Sequence, residues 1–217
     1  MIKTYQDAFN YLDSINLKEY SKTRNYLDGN NTELSKFITH GVVNTKQLYD
    51  YALNKYEFHE VKGFIFQLMW REYFLNIHYK LNLNILKPLN KNQKQNNLKE
   101  IPISIIEAKT GIKAIDNAII KLYDTGYIHN HERLWIASIL TNIAKVNWLT
   151  GAKWMYFHLI DGEPATNFLS WQWVAGTSSS KKYYANQENI NKYTKTEQRN
   201  TFLDKSYEEL KNIKEVP

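Results

Sequence analysis

The apolar residues between positions 60 and 81 recur at helical spacing, and this pattern constrains the fold more than any other. The repeat consists of Val61, Phe64, Ile65, Leu68, Met69, Phe74 and Ile77. Apolar side chains at i, i+3, i+4 and i+7 share one face of an α-helix. Gln67, Trp70 and Arg71 interrupt this otherwise apolar segment. We expect these three residues either to lie at the helix edge or to line a cavity.

The same period recurs along the chain and predicts an all-α protein. Further helices are predicted within 1–20, over 45–58, 114–123 and 131–146, and from Asp204. Gly126 should end the 114–123 helix, and Gly151 should mark a break after the 131–146 helix. Strand alternation with hairpin turns and a βαβ rhythm are both missing from the sequence.

The length of 217 residues fits one large domain, spanning 1–217. Residues 86–100 are polar and basic, and we interpret them as a solvated connection rather than a phosphate-contacting segment. Residues 183–217 form a polar C-terminal segment rich in Asn and Lys.

Composition excludes several classes of site. The chain has no cysteine, which rules out disulfides, thiol nucleophiles and cysteine zinc sites. Its six histidines lack a metal-binding spacing, so we expect no metal. No apolar run is long enough for a membrane span, and the first residues do not resemble a signal peptide, so we expect a cytoplasmic protein. The net charge of +6 is compatible with a polyanionic partner, although Lys and Asn are abundant throughout.

A turn-rich stretch, residues 24–35, precedes a predicted helix. Thr32 is a suitable N-cap for a helix that starts near Glu33. The free N–H groups and the dipole of a helix start can hold an anion. This arrangement occurs at every helix start, so it does not identify a site by itself.

Residues 161–182 combine polar groups, large aromatics and a basic end. Asp161 and Glu163 precede Asn167, and Trp171 and Trp173 follow before a Gly-Thr-Ser-Ser-Ser turn and two lysines. The stretch is either an aromatic surface loop between helices or part of a functional site.

Several motifs occur in a fixed order, and together they carry more information than any one alone. They are Tyr20-x-x-x-Arg24, Thr32-Glu-Leu-Ser35 with Gly41, Gln67-Leu-Met-Trp-Arg-Glu72, Thr110-Gly111 with Asp116, Gly126-Tyr-Ile-His-Asn130 with Arg133 and Ala137-Ser138, Trp148-x-x-Gly151, and Leu159-Ile-Asp161-Gly-Glu163 through Trp171-Gln-Trp173. With these motifs, residues 18–190 resemble the FAD-binding, catalytic domain of the photolyase and cryptochrome family.

The resemblance implies an all-α domain that holds FAD in a bent conformation inside a cavity. The residues expected at the diphosphate and ribityl group are Tyr20, Asn31, Thr32, Leu34 and Ser35. Arg133 and Asp161 match an ion pair beside the flavin ring, and Asn167 matches the position facing flavin N5. From the residues alone, Arg133 and Asp161 could equally form a structural ion pair.

The resemblance also assigns catalytic positions. Those expected to contact a pyrimidine dimer flipped out of DNA are Trp70 and Trp173, which would flank it, and the polar Gln67, Asn130 and Glu163. Trp171 and Trp148 match the first two members of the tryptophan chain that feeds an electron to photoexcited flavin. Taken singly, Trp148 and Trp154 favour a core position. We expect His129 to be interior and satisfied, His131 to be exposed, and neither to be a catalytic acid.

Three departures from the family pattern matter. The usual N-terminal α/β antenna domain has no counterpart in this sequence, so FAD would have to absorb light itself. Many dimer-repairing members have Glu where this chain has Gln67. The 6-4 repair members have His where this chain has Asn130, and a second His where it has Leu134. Residues 77–113 contain no Trp to match the outermost member of the electron-transfer chain, so this chain either stops at Trp148 or leaves through Trp154 or Tyr156.

The resemblance predicts a blue-light, FAD-dependent photolyase that repairs UV pyrimidine dimers in single- or double-stranded DNA. One alternative is a cryptochrome-like photoreceptor without repair activity. Another is an FAD- and DNA-binding subunit whose separate protein partner replaces the antenna domain.

Overall fold

The chain folds into packed α-helices, as the apolar periodicity predicts. The computed structural model describes residues 4–90, 96–179 and 181–213. Its helices are α1 (Tyr5–Asp13), α2 (Leu17–Thr23), α3 (Ser35–Thr39), α4 (Thr45–Lys55), α5 (Phe58–Leu81), α6 (Ile103–Ile106), α7 (Lys113–Thr125), α8 (Asn130–Ser138), α9 (Trp148–His158), α10 (Pro164–Ala175), α11 (Gln187–Thr194) and α12 (Tyr207–Lys211). A 3-10 helix at Asn82–Leu86 follows α5, and a π-helical turn at Ile139–Ile143 extends α8. Within the described ranges, β structure is limited to one isolated bridge, Leu98 with Val146.

The apolar side chains form two separate cores. The first lies among α1 to α5 and includes Leu34, Leu48, Phe64 and Leu68. The second, larger core lies among α6 to α12 and includes Ala137, Met155, Leu159, Trp171 and Val174. Helix α5 packs against α2 and α4 on one side and against α10 on the other, so it joins the two halves.

Helix α10 carries most of the stretch that the sequence singled out. Pro164 occupies its first turn, the Glu163 side chain caps its free N–H groups, and Gly176 ends it at φ +72°. Pro suits this first turn because the missing N–H would have no helical partner. The buried Gln172 fixes α10 to the preceding chain, because its Nε2 donates to the Ile85 carbonyl at 2.8 Å. Residues 164–175 are therefore a helix, not the surface loop that was one interpretation of this stretch.

Residues 91–95 of the predicted basic connection lie outside the described residues. Its described ends are bonded to the helical body. The Leu89 N–H donates to Gln172 Oε1 at 2.9 Å, and Asn96 Nδ2 donates to the Thr141 carbonyl at 2.7 Å.

Two expectations about helix ends were wrong. Thr32 does not cap a helix near Glu33, because Glu33 has φ +45° and α3 begins only at Ser35. Gly151 does not mark a break, because it lies inside α9. A Cβ on Gly151 would stand 2.5 Å from the Trp171 ring, so glycine is needed there for close packing rather than for a turn.

Two predicted helices differ at their ends. The 131–146 helix leaves α geometry at Ile139 and ends in the π-helical turn, and Lys145 then adopts φ +56°. The final helix begins at Tyr207 rather than Asp204, because Ser206 and Glu209 form a capping box there. In the described part of the chain, no helix combines the length and apolar character that crossing a membrane requires.

Candidate functional site

A cavity of about 250 Å³ lies where the two cores meet. Its apolar wall takes Leu34 and Leu68 from the first core and Met155 and Trp171 from the second. All eight residues predicted to bind the cofactor line it, namely Tyr20, Asn31, Thr32, Leu34, Ser35, Arg133, Asp161 and Asn167. These eight residues come from four separate parts of the sequence, and the fold brings them together around one cavity.

Asp161 is the buried anionic group of the cavity, with 3% of its surface exposed. Arg133 Nη2 donates to its two carboxylate oxygens at 3.0 and 2.9 Å. Ser35 Oγ donates to Oδ2 at 2.5 Å, and Thr39 Oγ1 donates to the Asp161 carbonyl at 3.3 Å. These bonds tie α3 to the α9–α10 connection. Oδ2 already accepts two hydrogen bonds, from Arg133 and Ser35, whereas Oδ1 accepts one and keeps a second acceptor direction.

Arg71 is a second cationic group in the cavity wall, and its role was left open by the sequence. Its Nη2 donates to Thr39 Oγ1 at 2.9 Å, while its Nε is buried and has no partner in the described residues. Burial lowers the pKa of Arg71, and the carboxylates of Glu163 and Asp161 partly offset this effect. A buried donor without an acceptor is costly, so this wall favours a ligand that carries acceptors.

Asn167 presents one defined end to the cavity. It is 9% exposed, and its Nδ2 donates to the Ala152 carbonyl at 3.0 Å. Because the amide nitrogen has this partner, the oxygen is the end that can accept a hydrogen bond from a ligand.

Residues 24–34 form the loop that covers one side of the cavity, and two histidines hold it. His129 Nε2 donates to the Arg24 carbonyl at 3.0 Å, and His131 Nδ1 donates to the Asn25 carbonyl at 2.8 Å. His129 Nδ1 accepts the His131 N–H at 3.0 Å, which fixes the neutral form of the His129 ring. Burial lowers the pKa of His129 to about 4.

The expectation that His131 is exposed was wrong, because only 7% of it is accessible. Its ring stacks on Trp135 and contacts Tyr193 of α11. The loop is also bonded to α11 directly, since the Leu27 N–H donates to the Tyr193 carbonyl at 3.0 Å. The sequence could not show that α11 would return to this loop.

The three polar residues predicted to contact a lesion, Gln67, Asn130 and Glu163, all line the cavity. Glu163 also caps α10, accepting the Ala165 N–H at 3.0 Å and the Thr166 N–H at 2.8 Å. Asn130 is the first residue of α8 and is exposed, while Gln67 is half-buried on α5.

The four tryptophans predicted to act in catalysis fall into two groups. Trp171 lines the cavity, whereas Trp148, Trp70 and Trp173 do not. Trp148 is buried in the second core at 3% exposure. Trp70 and Trp173 are 55% and 47% exposed, on α5 and α10 respectively, so neither belongs to the cavity wall.

The two proposed exits for an electron have different surroundings. Trp154 contacts Tyr123, with ring centroids 6.2 Å apart, and Tyr123 reaches the surface at 39% exposure. Tyr156 instead packs on the buried Phe168 at 5.5 Å. Trp154 lies three residues after Gly151, on which the Trp171 ring rests, so it is the better placed of the two.

Sequence reasoning missed Tyr127 as a wall residue, although the motif Gly126-Tyr-Ile-His-Asn130 contained it. Its ring lies 5.4 Å from the Arg133 guanidinium, and burial raises the pKa of its hydroxyl. In the described part of the chain, no group of three or more His, Asp or Glu side chains could hold a metal ion.

The cavity suits a ligand with a flat ring, polar ring edges and anionic groups. Its apolar wall offers packing surface, and Asp161 and Asn167 offer acceptors. Arg71 offers a buried donor that has no partner among the described residues. A flavin dinucleotide has each of these features, so the residues present fit FAD. Asp161, Asn167 and Arg133 would lie at the ring, and the loop residues Asn31–Ser35 at the phosphates and ribityl chain.

The fold and the cavity thus define a helical flavin-binding domain. The model of the family described as the FAD binding domain of DNA photolyase matches residues 64–216. This chain belongs to that family, and its cofactor is FAD.

Curated relatives and solved structures agree with this assignment. The chain is 28% identical over 176 residues to cryptochrome DASH of Arabidopsis thaliana, covering 76% of this chain and 31% of the relative. It is 26% identical over 161 residues to deoxyribodipyrimidine photo-lyase of Alkalihalophilus pseudofirmus, covering 70% of this chain and 33% of the relative. The chain therefore spans about a third of the length of these relatives.

Among solved structures, the fold is similar to a Synechocystis cryptochrome, with a TM-score of 0.79, 22% identity, and coverage of 89% of this chain and 44% of that one. It is also similar to an archaeal photolyase from Sulfolobus tokodaii with two FAD molecules. That comparison has a TM-score of 0.73, 24% identity, and coverage of 89% and 44%.

Proposed function

We propose that this protein is a blue-light, FAD-dependent photolyase that repairs UV pyrimidine dimers in DNA. The single observation that carries the proposal is the cavity between the two cores, because its polar and apolar walls match the parts of FAD. The family assignment and the photo-lyase among its relatives support the reaction. Cytoplasmic location and damaged DNA as partner are parts of the same proposal.

FAD, when bound, supplies one-electron transfer driven by absorbed light. Arg133 and Ser35 fix the Asp161 carboxylate, so it can accept a hydrogen bond at one ring edge without rotating. The Asn167 oxygen is directed by the bond from Nδ2 to Ala152, and it can accept an N–H from a reduced ring. The apolar side chains of the wall, among them Leu34, Leu68 and Met155, would shield the ring faces from water.

Trp171 is the residue best positioned to pass an electron into the cavity, because it lines the cavity and rests on Gly151. Trp148 lies one turn before Gly151 on α9, and Trp154 one turn after it. We propose that Trp171 acts with one of these two tryptophans.

Trp70 and Trp173 have exposed rings on two helices that pack together, α5 and α10. Exposed indole rings suit stacking with bases extruded from a duplex. We propose that they hold the lesion, while Gln67, Asn130 and Glu163 contact its polar edge.

The test is repair of a defined lesion. The reduced, FAD-loaded protein is incubated under blue light with an oligonucleotide that carries one thymine dimer, in single-stranded and double-stranded form. We expect thymine to be restored in light and not in a matched dark sample. No restored thymine in either form would contradict the proposal.

A cryptochrome-like photoreceptor is the second candidate, and Gln67 favours it. This neutral amide lies in the cavity wall where many dimer-repairing relatives of the family have a carboxylate. The candidate predicts light-driven flavin reduction with no lesion turnover. Gln67→Glu discriminates the two, since a repair enzyme limited by this amide would gain repair rate, whereas a photoreceptor would remain inactive on the lesion.

A further inference from the structure

Two lysines, Lys145 and Lys182, lie on segments that are bonded to each other outside the cavity. The aliphatic stem of Lys182 passes over Gly176, where an added Cβ would stand 3.0 Å from Lys182 Cγ. Gly176 also has φ +72°, so both the close approach and the backbone conformation need glycine there. Lys145 follows the π-helical turn, and its Nζ donates to the Asn142 carbonyl.

Asn142 joins the two segments that carry the lysines. Its buried Nδ2 donates to the Val174 carbonyl at 2.9 Å and to the Tyr183 carbonyl at 2.7 Å. These bonds connect the π-helical turn, which ends two residues before Lys145, to the segment that begins with Lys182. The π-helical turn thereby places Lys145 beside the end of α10.

Among the described residues, the two ammonium groups are without a carboxylate partner, because no ion pair there includes either lysine. Burial lowers the pKa of Lys145, and the neighbouring charge of Lys182 lowers it further. Like charges held close together favour a shared anion, because the anion removes their mutual repulsion.

An aromatic pair lies next to the lysines. The ring of Trp173 is 47% exposed, and the Tyr183 ring lies beside it with centroids 5.5 Å apart and planes inclined by 30°. Tyr183 is fixed by its backbone, since its N–H donates to the Val174 carbonyl at 3.0 Å and its carbonyl accepts from Ser138 Oγ at 3.1 Å. Trp173 is thus supported by an anchored ring and keeps exposed surface for stacking.

We propose that Lys145 and Lys182 bind one phosphodiester of a nucleic acid strand, next to the nucleotide whose base stacks on Trp173. Asn142 and Tyr183 are positioning residues for this subsite. The inference rests on the proposed function, which supplies the DNA, and it adds the backbone contact that fixes where the strand runs. Proteins that bind single-stranded nucleic acids combine cations for the phosphate backbone with aromatic rings on which the bases stack.

The experiment measures binding in the dark, apart from any repair. The FAD-loaded protein is titrated into a labelled, undamaged oligothymidylate, and fluorescence anisotropy is followed at several salt concentrations. The variants are Lys182→Ala and Lys145→Asn, since Asn tolerates the positive φ of Lys145. The controls are Lys80→Ala, which removes an exposed lysine on α5, and Lys195→Asn, whose backbone has the same φ of +56°.

We expect each subsite variant to weaken binding severalfold. Each should also reduce the slope of log K against log salt by at most about 0.7, the value for the one phosphate contact that the two lysines share on a single strand. The two controls should each change affinity less than twofold. Their slopes should stay near that of the wild type, because neither control lysine is proposed to contact a phosphate. Urea unfolding of each variant verifies that it is folded.

Two outcomes would overturn the subsite. One is wild-type affinity and slope in both lysine variants. The other is inorganic phosphate binding as tightly as the oligonucleotide, which would make the lysine pair a site for free anions. Lost repair with intact oligonucleotide binding would contradict the proposed function alone, so the two failures are distinguishable.

Discussion

At the scale of residues, the cavity depends on one buried carboxylate that two residues, Arg133 and Ser35, hold by hydrogen bonds. The sequence predicted Asp161 and Arg133 as partners through their motifs, and the structure joins them at 2.9 Å. It could not predict Ser35 as a donor to Asp161, because 126 residues separate the two. Arg71 was visible only as a polar interruption of an apolar helix. Its unpartnered Nε depends on contacts that no local pattern encodes.

Replacing Asp161 with Asn should destabilise the protein and weaken FAD binding. Arg133 would keep its charge in a largely buried position without a counter-charge, which costs about 2–4 kcal/mol of unfolding free energy. Urea unfolding and FAD titration measure the two effects.

Asp28→Asn is the matched control, because Asp28 pairs with Lys195 on the surface. Exposed pairs contribute little, so this variant should unfold close to the wild type. Equal destabilisation by the two substitutions would contradict the role given to Asp161.

His129 should make stability depend on pH. Its folded pKa of about 4 lies below its ordinary value of 6.5, so the unfolded chain binds a proton more readily between these values. The stabilisation is therefore complete above pH 6.5 and is lost as pH falls towards 4, by on the order of 3 kcal/mol.

The measurement is unfolding free energy from pH 7.5 to 4 for the wild type, His129→Asn and His59→Asn. Asn can still cap α8, so His129→Asn should flatten the pH dependence. The exposed His59 serves as control, and its variant should follow the wild type. A wild-type slope in His129→Asn would refute this assignment.

At the scale of elements, helices with a strong apolar period were predicted closely. The segment 60–81 became α5 at Phe58–Leu81, and 114–123 became α7 at Lys113–Thr125. Errors arose where a distant contact decided the local structure. Gly151 resembles a helix breaker in the sequence, yet it lies inside α9 because the Trp171 ring occupies the space of a side chain.

Gly151→Ala tests this packing. Alanine favours a helix over glycine by about 1 kcal/mol, yet here we expect net destabilisation of about 1–3 kcal/mol because of overpacking against Trp171. The measurement is a double-mutant cycle with Trp171→Leu, in which urea unfolding gives the free energy of unfolding of each protein. In the Leu background the cost of Gly151→Ala should shrink, and strict additivity would contradict the contact.

At the scale of the whole molecule, two cores meet at the FAD cavity. The sequence predicted a single all-α domain but not this division. The first core draws on residues 8–68 and the second on residues 85–210, but an apolar helical period does not show which helices pack together. The contacts that cross the junction include the packing of α5 on α10, the bonds from α3 to Asp161, and the bonds that hold the 24–34 loop to His129, His131 and Tyr193. FAD would contact both cores and add to this junction.

Hydrogen exchange should therefore show different behaviour of the two halves. Without FAD, we expect α1–α4 to exchange faster than α7–α10, because their core is smaller. With FAD at a hundred times its Kd, protection should rise across both halves by about 2.7 kcal/mol. FAD protection confined to one half would contradict a bridging cavity.

The measurement that tests the account most directly is an FAD titration of the apoprotein, in which quenching of flavin fluorescence reports binding. The comparison uses the wild type and Ala137→Phe, because Ala137 is 2% exposed and its replacement fills the cavity. The account predicts saturable binding of one FAD per chain in the wild type, and its loss in a folded Ala137→Phe variant. Failure of the wild type to bind FAD, or equal binding by the filled variant, would contradict it.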